Sequence, residues 1–454
     1  GGGFITGVCP WGWEQVTGRN LRADLGGNQV LAAAGLMLAD GMLGETGPKG
    51  YLADRVGLEL AHAGRALEAL EDHAAGRAAL SQEDLNQVST TLGTAARAVP
   101  PGDTLFLPRI KALCESPAAR CVPAPDVPVT LDQPLARIAA TLLAAELAEA
   151  RPEAVAAHPS AEAFPGAVPA DAPRVRRVLD VDTAVPDWHS TGLYAAPGEV
   201  IDVTVPESAA GRGLQVRIGC HTDEIWHLDA WKRFPEITRA FAMDHPTTRA
   251  ANAFGGLVYI VVPRGCALGH IEVAIEGAVE APLYVYGRTG RSAWRDTLRH
   301  APGPWAELAT DRVVITVPSS VIRELDDPEA LLGFWNHVMD CCADLAAIPR
   351  ERERPERYVA DVQISAGYMH SGYPIMTHLD AAPLSVDVAK LKSLGSWGHF
   401  HEMGHNHQSG HWTFDGTGEV TVNLFSLYVS ERACHLQAPA QPAVAPTSAI
   451  INWV

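Results

Sequence analysis

The chain has 454 residues, 47% of them hydrophobic, and a formal net charge of −18. That hydrophobic share is ample for buried cores and excludes a disordered chain, while the acidic balance argues against an electrostatic nucleic-acid binder. No apolar run approaches the roughly 18 residues that a membrane helix needs, and a prior of about 150 residues per domain suggests three domains.

In chain order, Gly1 to Trp13 reads as a short buried strand running into a Gly-rich turn, with Cys9 as a small buried thiol near the strand end. Asn28 is placed to cap a helix that starts near Gln29. Leu60, Ala63, Leu67 and Leu70 form an amphipathic stripe at helical spacing, and Ser81 to Ala98 also reads as helix. Pro and Ala then rise from about residue 116 to 173, with one helix from Leu135 to Ala150, as in a connector.

Between residues 174 and 304 the pattern changes to short strands. Leu214, Val216, Ile218 and Cys220 alternate with polar residues, as do Ile271, Val273 and Ile275. Val200–Val205, Leu257–Val262 and Leu283–Tyr286 add three more segments, and the turn-separated set suggests a β-sandwich. Trp188, Trp226 and Trp231 in this region are either a glycan platform or, as aromatics more often are, core. From residue 305 to 454, a strand (Asp311–Pro318), a helix (Pro328–Ile348) and a second strand (Arg357–Ile364) lead into a Tyr/His/Gly-rich loop, Gly367–Ile375.

The chemistry concentrates at Gly398-His399-Phe400-His401-Glu402-Met403-Gly404-His405-Asn406-His407-Gln408. On a helix, His401 and His405 project from one face, where two imidazoles can grip one tetrahedral Zn²⁺. Glu402 stands beside the open coordination position as a general base. Glu419, separated from His405 by 13 residues and in the first turn of a second apolar helix, would complete a two-His, one-Glu set. Asn423, one turn further on, is a candidate partner that orients a ligating His. His399, His407 and His411 crowd the motif, but a catalytic zinc usually takes only three protein ligands. His399 and His407 lie off the His401/His405 face and are expected to support the ligands or face substrate. His378, Asp380 and His435 are weaker candidates.

Three motifs in order carry a family resemblance: Asp361 to Ile375, Trp397 to Gln408, and Gly418 to Tyr428. They resemble the enhancin-like, mucin-degrading peptidases (family M-sixty), and the similarity runs from about Trp188 to the C-terminus. The resemblance implies a gluzincin with His401, His405 and Glu419 as ligands of one Zn²⁺ and Glu402 as general base and acid. It also implies a β-sandwich ahead of the catalytic domain, and a loop holding His370 and Tyr373 near the cleft. The first hundred residues are similar to the later part of the flavodoxin-like, glutamine-amidotransferase-like domain of the vertebrate TRP-channel-associated factors.

The expected fold is therefore multidomain α+β: a partial flavodoxin-like α/β and helical region (1–115), a connector (116–173), a β-sandwich (174–304) and a mainly α zincin-type catalytic domain (305–454). The expected function is zinc-dependent endopeptidase action on protein or glycoprotein substrates, with O-glycosylated, mucin-like proteins favoured and a zinc-bound water activated by Glu402. An oxyanion donor besides the metal is required, and Tyr428, Tyr373 or a neighbouring His are the choices. Two alternatives stand beside this: a non-catalytic regulatory protein, or a glycan binder using the sandwich.

Eight cysteines, none in a Cys-x-x-Cys pair, argue against a cysteine zinc site; the adjacent Cys341 and Cys342 read as packed thiols. The chain opens without Met and stops soon after an Ala/Pro-rich run, so it reads as a piece of a longer protein.

Overall fold

Helix-forming runs dominate the first part of the computed structural model, which describes residues 8–39, 59–100 and 102–436. One unit comprises residues 1–150 with 229–234, the other 151–228 with 235–454. In the first unit the helices are α1 (Pro10–Thr17), α2 (Leu21–Asp24), α3 (Gly26–Leu31), α4 (Ala63–Ala74), α5 (Gln82–Ala98), α6 (Leu107–Cys114) and α7 (Pro134–Glu149). The stripe read from sequence is the buried one: Leu67 and Leu70 of α4 pack with Val88 and Leu92 of α5 and Ile110 of α6. Ser81 and Asp84 close a capping box at the start of α5, satisfying two backbone N–H groups. Helix α7 adds Ile138 and Leu142 to the same core, so this part of the expected connector is packed helix.

No named strand occurs in this unit among the described residues, so the α/β character expected for 1–115 is not seen there; Gly1–Gly7, the body of the expected strand, lie outside the described residues. Pro10 instead opens α1, where its missing N–H costs nothing. Cys9 is exposed rather than buried. Asn28 does not cap; it is buried inside α3, and its amide bonds to both the N–H and the C=O of Leu38.

The second unit opens with strands β1 (Val175–Asp182), β2 (Asp187–Ala195), β3 (Ile201–Thr204), β4 (Gln215–Ile218), β5 (Arg239–Ala242), β6 (Thr247–Ala250), β7 (Gly256–Val262) and β8 (His270–Glu280). Their order is β5-β4-β7-β2-β8-β3-β6, with β1 also on β8. The long β8 joins two halves: it pairs β1 and β3 along most of its length and β2 at Val279 and Glu280. Inward residues of both halves (Ile201 and Val203; Val216 and Ile218; Val258 and Ile260; Val273 and Ile275) form one core, as a sandwich requires. The β2 register slips between Ser190 and Tyr194, where Gly192 at φ +67° supplies the bulge. Strand β1 was missed in the sequence because its residues alternate only between exposed and half-buried until Val181.

Then follow β9 (Leu283–Val285), α8 (Arg291–Asp296), β10 (Trp305–Ala309), β11 (Val313–Pro318), α9 (Ser319–Ile322), α10 (Pro328–Ala346), β12 (Glu356–Asp361), β13 (Met369–His370), β14 (Ile375–His378), α11 (Ala382–Ser385), α12 (Val388–Leu394), α13 (Trp397–His405), α14 (Gly418–Thr421) and α15 (Asn423–Cys434). A six-stranded sheet, β13-β14-β12-β11-β10-β9, runs through this part, so it is mixed rather than mainly α. Strand β9, read from sequence as sandwich, pairs parallel with β10 here. Strands β10, β11 and β12 are almost wholly buried, which gives continuous apolar runs instead of alternation. Helix α10 carries the parallel crossover from β11 to β12 and buries Trp335 against Tyr358 and Phe400.

Sandwich and catalytic sheet are joined through a buried ion pair. Arg357 of β12 binds Glu307 of β10, and Glu307 also accepts from Tyr259 of β7 at 3.0 Å. The other guanidinium nitrogen of Arg357 reaches Ser190 Oγ at 3.2 Å.

Candidate metal centre

Helix α13 presents His401 and His405 one turn apart, their ring centroids 4.8 Å apart. Its opposite face is anchored by the buried Phe400 and Met403. Gly404 lets α15 approach closely: a Cβ there would stand 2.7 Å from Phe425 Cβ and 2.9 Å from Val422 Cγ2. That approach places α14, with Glu419, opposite the two imidazoles. His401 Nε2 lies 3.0 Å from Glu419 Oε2, His405 Nε2 lies 3.3 Å from Glu419 Oε1, and the two Nε2 atoms are 3.2 Å apart.

The far ring nitrogens fix which protons are present. His401 Nδ1 donates to Asn423 Oδ1 at 3.1 Å, and His405 Nδ1 donates to Gln408 Oε1 at 2.7 Å. In the neutral rings this leaves Nε2 as the lone-pair nitrogen, and both Nε2 atoms face a carboxylate that can only accept. Acceptors gathered without a hydrogen between them repel, so the arrangement suits a cation. Edges of a tetrahedron about a zinc with bonds of 2.0–2.1 Å measure about 3.3 Å, close to the separations found. Among the described residues, His401, His405 and Glu419 are the one group of three or more metal-competent side chains whose ligand atoms converge this way.

Glu402 is buried behind the ligands. Burial raises its carboxyl above the usual range, His401 and His405 pull it back down, and Glu419 adds to the rise. A carboxyl whose proton affinity is raised by burial suits the role of proton carrier.

The other candidates separate. Asn423 holds His401 and, through Nδ2, the Glu419 carbonyl at 2.8 Å, so it ties two ligating residues together. His407 turns inward: Nδ1 donates to Met403 O at 2.7 Å, Nε2 accepts from Arg352, and the ring packs on Phe425. Burial, reinforced by Arg352, pushes its pKa down to about 4. His399 is likewise core, bonded to Ser396 Oγ at 2.7 Å and pushed by burial to about 4. Tyr373 packs its ring between Arg354 and Trp188, with its hydroxyl buried toward Arg357, and so does not face the ligands. The ring of Tyr428 lies under the Arg432 guanidinium, one turn on. His378 stacks on Tyr368, whose hydroxyl donates to Asp380 at 2.7 Å. His411 and His435 are exposed.

His370 lies on the strand beside the motif helix. Strand β13 lies against α13, where a Cβ on Gly398 would meet Met369 Sδ at 2.9 Å, and His370 and Glu402 influence each other electrostatically. The aromatic platform dissolves: Trp188 lies against Arg217, Tyr259 and Tyr373, and Trp231 is buried.

Three residues that sequence reasoning missed complete the surroundings. Gln408 joins His405 to the backbone of Gly418; its position within the motif helix run was the available signal. Asn406 exchanges two hydrogen bonds with the backbone of Gly372, pinning the 365–375 loop to the end of α13. Asp223, 147 residues from His370 in sequence, had no local signal.

Residues 277–450 match the family described as peptidase M60, enhancin and enhancin-like, and residues 170–276 match the N-terminal domain of M60-like peptidases. The TRPM8 channel-associated factor 2 of Bos taurus is 46% identical over 261 residues, covering 57% of this chain and 29% of that protein. A TRPM8 channel-associated factor homolog of Xenopus laevis is 46% identical over 245 residues, 54% of this chain and 27% of that protein. The chain thus spans less than a third of the length of these curated relatives. A solved structure of the M60 catalytic domain with two CBM51 domains from Clostridium perfringens ZmpB aligns at a TM-score of 0.45 and 15% identity, over 57% of this chain and 30% of that one. Across residues 170–450 this chain belongs to the M60 family of enhancin and enhancin-like peptidases, with the N-terminal domain that accompanies them.

Proposed function

We propose that the chain is a zinc-dependent endopeptidase acting on O-glycosylated, mucin-like proteins. The observation that carries this is the facing of two bare imidazole Nε2 atoms and the Glu419 carboxylate at 3.0–3.3 Å, with buried Glu402 next in sequence to one ligand. Zinc held by His401, His405 and Glu419 would supply Lewis acidity toward the scissile carbonyl and bring the pKa of a water toward about 7.

The chain's own residues supply the rest. Asn423 and Gln408 hold the imidazoles with their Nε2 atoms inward. Glu402 accepts a proton from the attacking water as oxygen bonds to the carbonyl carbon, then returns a proton to the amine nitrogen as the C–N bond breaks. Its raised affinity for the proton suits both transfers.

A second reading comes from the names of the relatives: a channel-associated protein for which peptidase action is not the main task. The full set His401, Glu402, His405 and Glu419 favours hydrolysis, since a docking module has no use for it. Cleavage of an O-glycosylated mucin beside its deglycosylated form, by wild type and Glu402→Gln at matched zinc content, tests both. The expected result is cleavage of the glycosylated form, lost in the variant. Equal cleavage of both forms would remove the glycan from the proposal, and no cleavage by zinc-loaded protein would favour the docking role.

A further inference from the structure

Asp223 leaves the sandwich on the loop after β4 and ends beside the peptidase cleft. Its Oδ2 lies 2.8 Å from His370 Nε2 and accepts from Ser365 N at 2.6 Å. The same loop of the sandwich grips the cleft segment again, because His227 Nε2 donates to Ser365 O at 2.8 Å. The segment is fixed at its other end by the two bonds between Asn406 and Gly372. His370 is thereby held on both sides of its own strand, against the helix that carries Glu402 and the ligands. Its second nitrogen, Nδ1, donates to the adjacent Ser371 carbonyl at 2.9 Å. Both nitrogens of the ring face acceptors, one of them a carboxylate, a setting that favours the protonated ring.

We propose that Asp223 and His370 form the electrophilic dyad of this site: His370 is the catalytic residue that turns an N–H to the oxygen of the scissile carbonyl as negative charge develops there, and Asp223 is the positioning residue that holds the ring and its charge. This rests on the peptidase reading. The nitrogen that would turn is Nδ1, whose partner is the carbonyl of the next residue, while Asp223 keeps Nε2. Carboxylate-held imidazolium rings work in this way because the carboxylate fixes orientation and stabilises the charge without itself taking the proton. An N–H aimed at a developing oxyanion is worth about 10²–10³ in kcat. The assignment selects His370 over Tyr373, whose hydroxyl is buried toward Arg357, and over Tyr428, whose ring is covered by Arg432.

The electrostatics agree with the geometry. The hydrogen bond to Asp223 raises the His370 pKa against an opposing burial effect, and the Ser371 carbonyl and Glu402 add to the rise. Burial pushes Asp223 up, but the hydrogen bonds from His370 and Ser365 bring it below the usual carboxylate range. Glu402 on α13 faces His370 electrostatically, and His227 on the sandwich loop bonds the Ser365 that also holds Asp223.

The test uses zinc-loaded full chain, with His370→Gln, Asp223→Asn and Asp223→Glu, on a cleavable glycoprotein. His370→Gln should lose about 100-fold in kcat with KM within about threefold and zinc content unchanged. Asp223→Asn should move the alkaline limb of the kcat profile to lower pH, because His370 loses the partner that keeps it charged; Asp223→Glu should restore part of the shift. Thermal melts identify any variant that simply unfolds. Retained kcat in folded His370→Gln, or an unmoved alkaline limb in folded Asp223→Asn, overturns the dyad. An inactive wild type overturns the peptidase reading and the catalytic role together; ¹⁵N shifts of the His370 ring then show separately whether Asp223 holds it charged at pH 7.

Discussion

His405 and Gln408 are joined by an Nδ1–H···Oε1 hydrogen bond of 2.7 Å, and the nitrogen of the same amide donates to Gly418 O and Thr421 Oγ1, each at 2.7 Å. One side chain therefore sets the tautomer of one ligand and the position of the turn that delivers another. Partners of this kind typically carry 10–100-fold in metal affinity. Gln408→Leu should bind zinc about 10–100-fold more weakly, measured by competition with a chelator, while the melting temperature of metal-free protein changes little. Unchanged affinity would reduce Gln408 to a bystander.

Gly404→Ala tests the approach of α13 and α15. The new methyl would lie 2.7 Å from Phe425 Cβ, which moves only with its backbone, and 2.9 Å from Val422 Cγ2, a methyl of a stiff β-branched side chain. The helix-propensity gain of about 1 kcal/mol for Gly to Ala is set against overpacking of about 1–3 kcal/mol. The expected outcome is net destabilisation with weaker zinc binding, because Val422 lies between Glu419 and Asn423. A stabilised protein with unchanged zinc affinity would show that the helices yield without cost.

The candidate metal site was legible because its signals are local: two histidines one helical turn apart and an acid soon after. Tertiary structure had only to bring α14 against α13. His370 was legible as a cleft residue but Asp223 was not, since their pairing joins the sandwich to the catalytic sheet. His407 and Tyr373 misled for one reason: a His or Tyr near a motif looks available, yet Arg352 and Arg357 draw both inward from elsewhere in the fold. In the six-stranded sheet β11 and β12 were legible as strands, but β10, buried on both faces, lacks the alternation that identifies one, and β13 and the start of β14 fall in what read as a loop. The helical N-terminal unit was foreseen where the period was helical, at α4 and α5; the body of the strand expected at Gly1 to Gly7 lies outside the described residues.

Glu307→Gln tests the join between the two sheets. It would leave the fully buried Arg357 guanidinium without its carboxylate, and with the weaker bonds to Thr316 Oγ1, Ser190 Oγ and Trp188 O. Removing one partner of a buried pair costs about 3–5 kcal/mol. Urea unfolding should show a loss of that order. Glu307→Gln with Arg357→Met should recover part of it, since no charge then stays buried. A loss under about 1 kcal/mol would mean that water reaches Arg357.

Acid should weaken the fold through two histidines that are not ligands. His399 and His407 are buried neutral, and burial lowers both to about 4 from an unfolded value near 6.5. For His407 the reason is visible in the hydrogen bonds: Nε2 already accepts from Arg352, so a proton there would face a guanidinium. A depressed histidine contributes stability that is complete above about pH 6.5 and is lost as pH falls through about 4. Each is worth on the order of 3 kcal/mol over that range. His370, raised by Asp223, has the opposite sign and offsets part of the loss. Melting temperature measured in EDTA, so that zinc release does not enter, should fall from pH 7 to pH 4.5. In His407→Gln the fall should be shallower. A flat wild-type profile would show that these rings open to solvent before they are protonated.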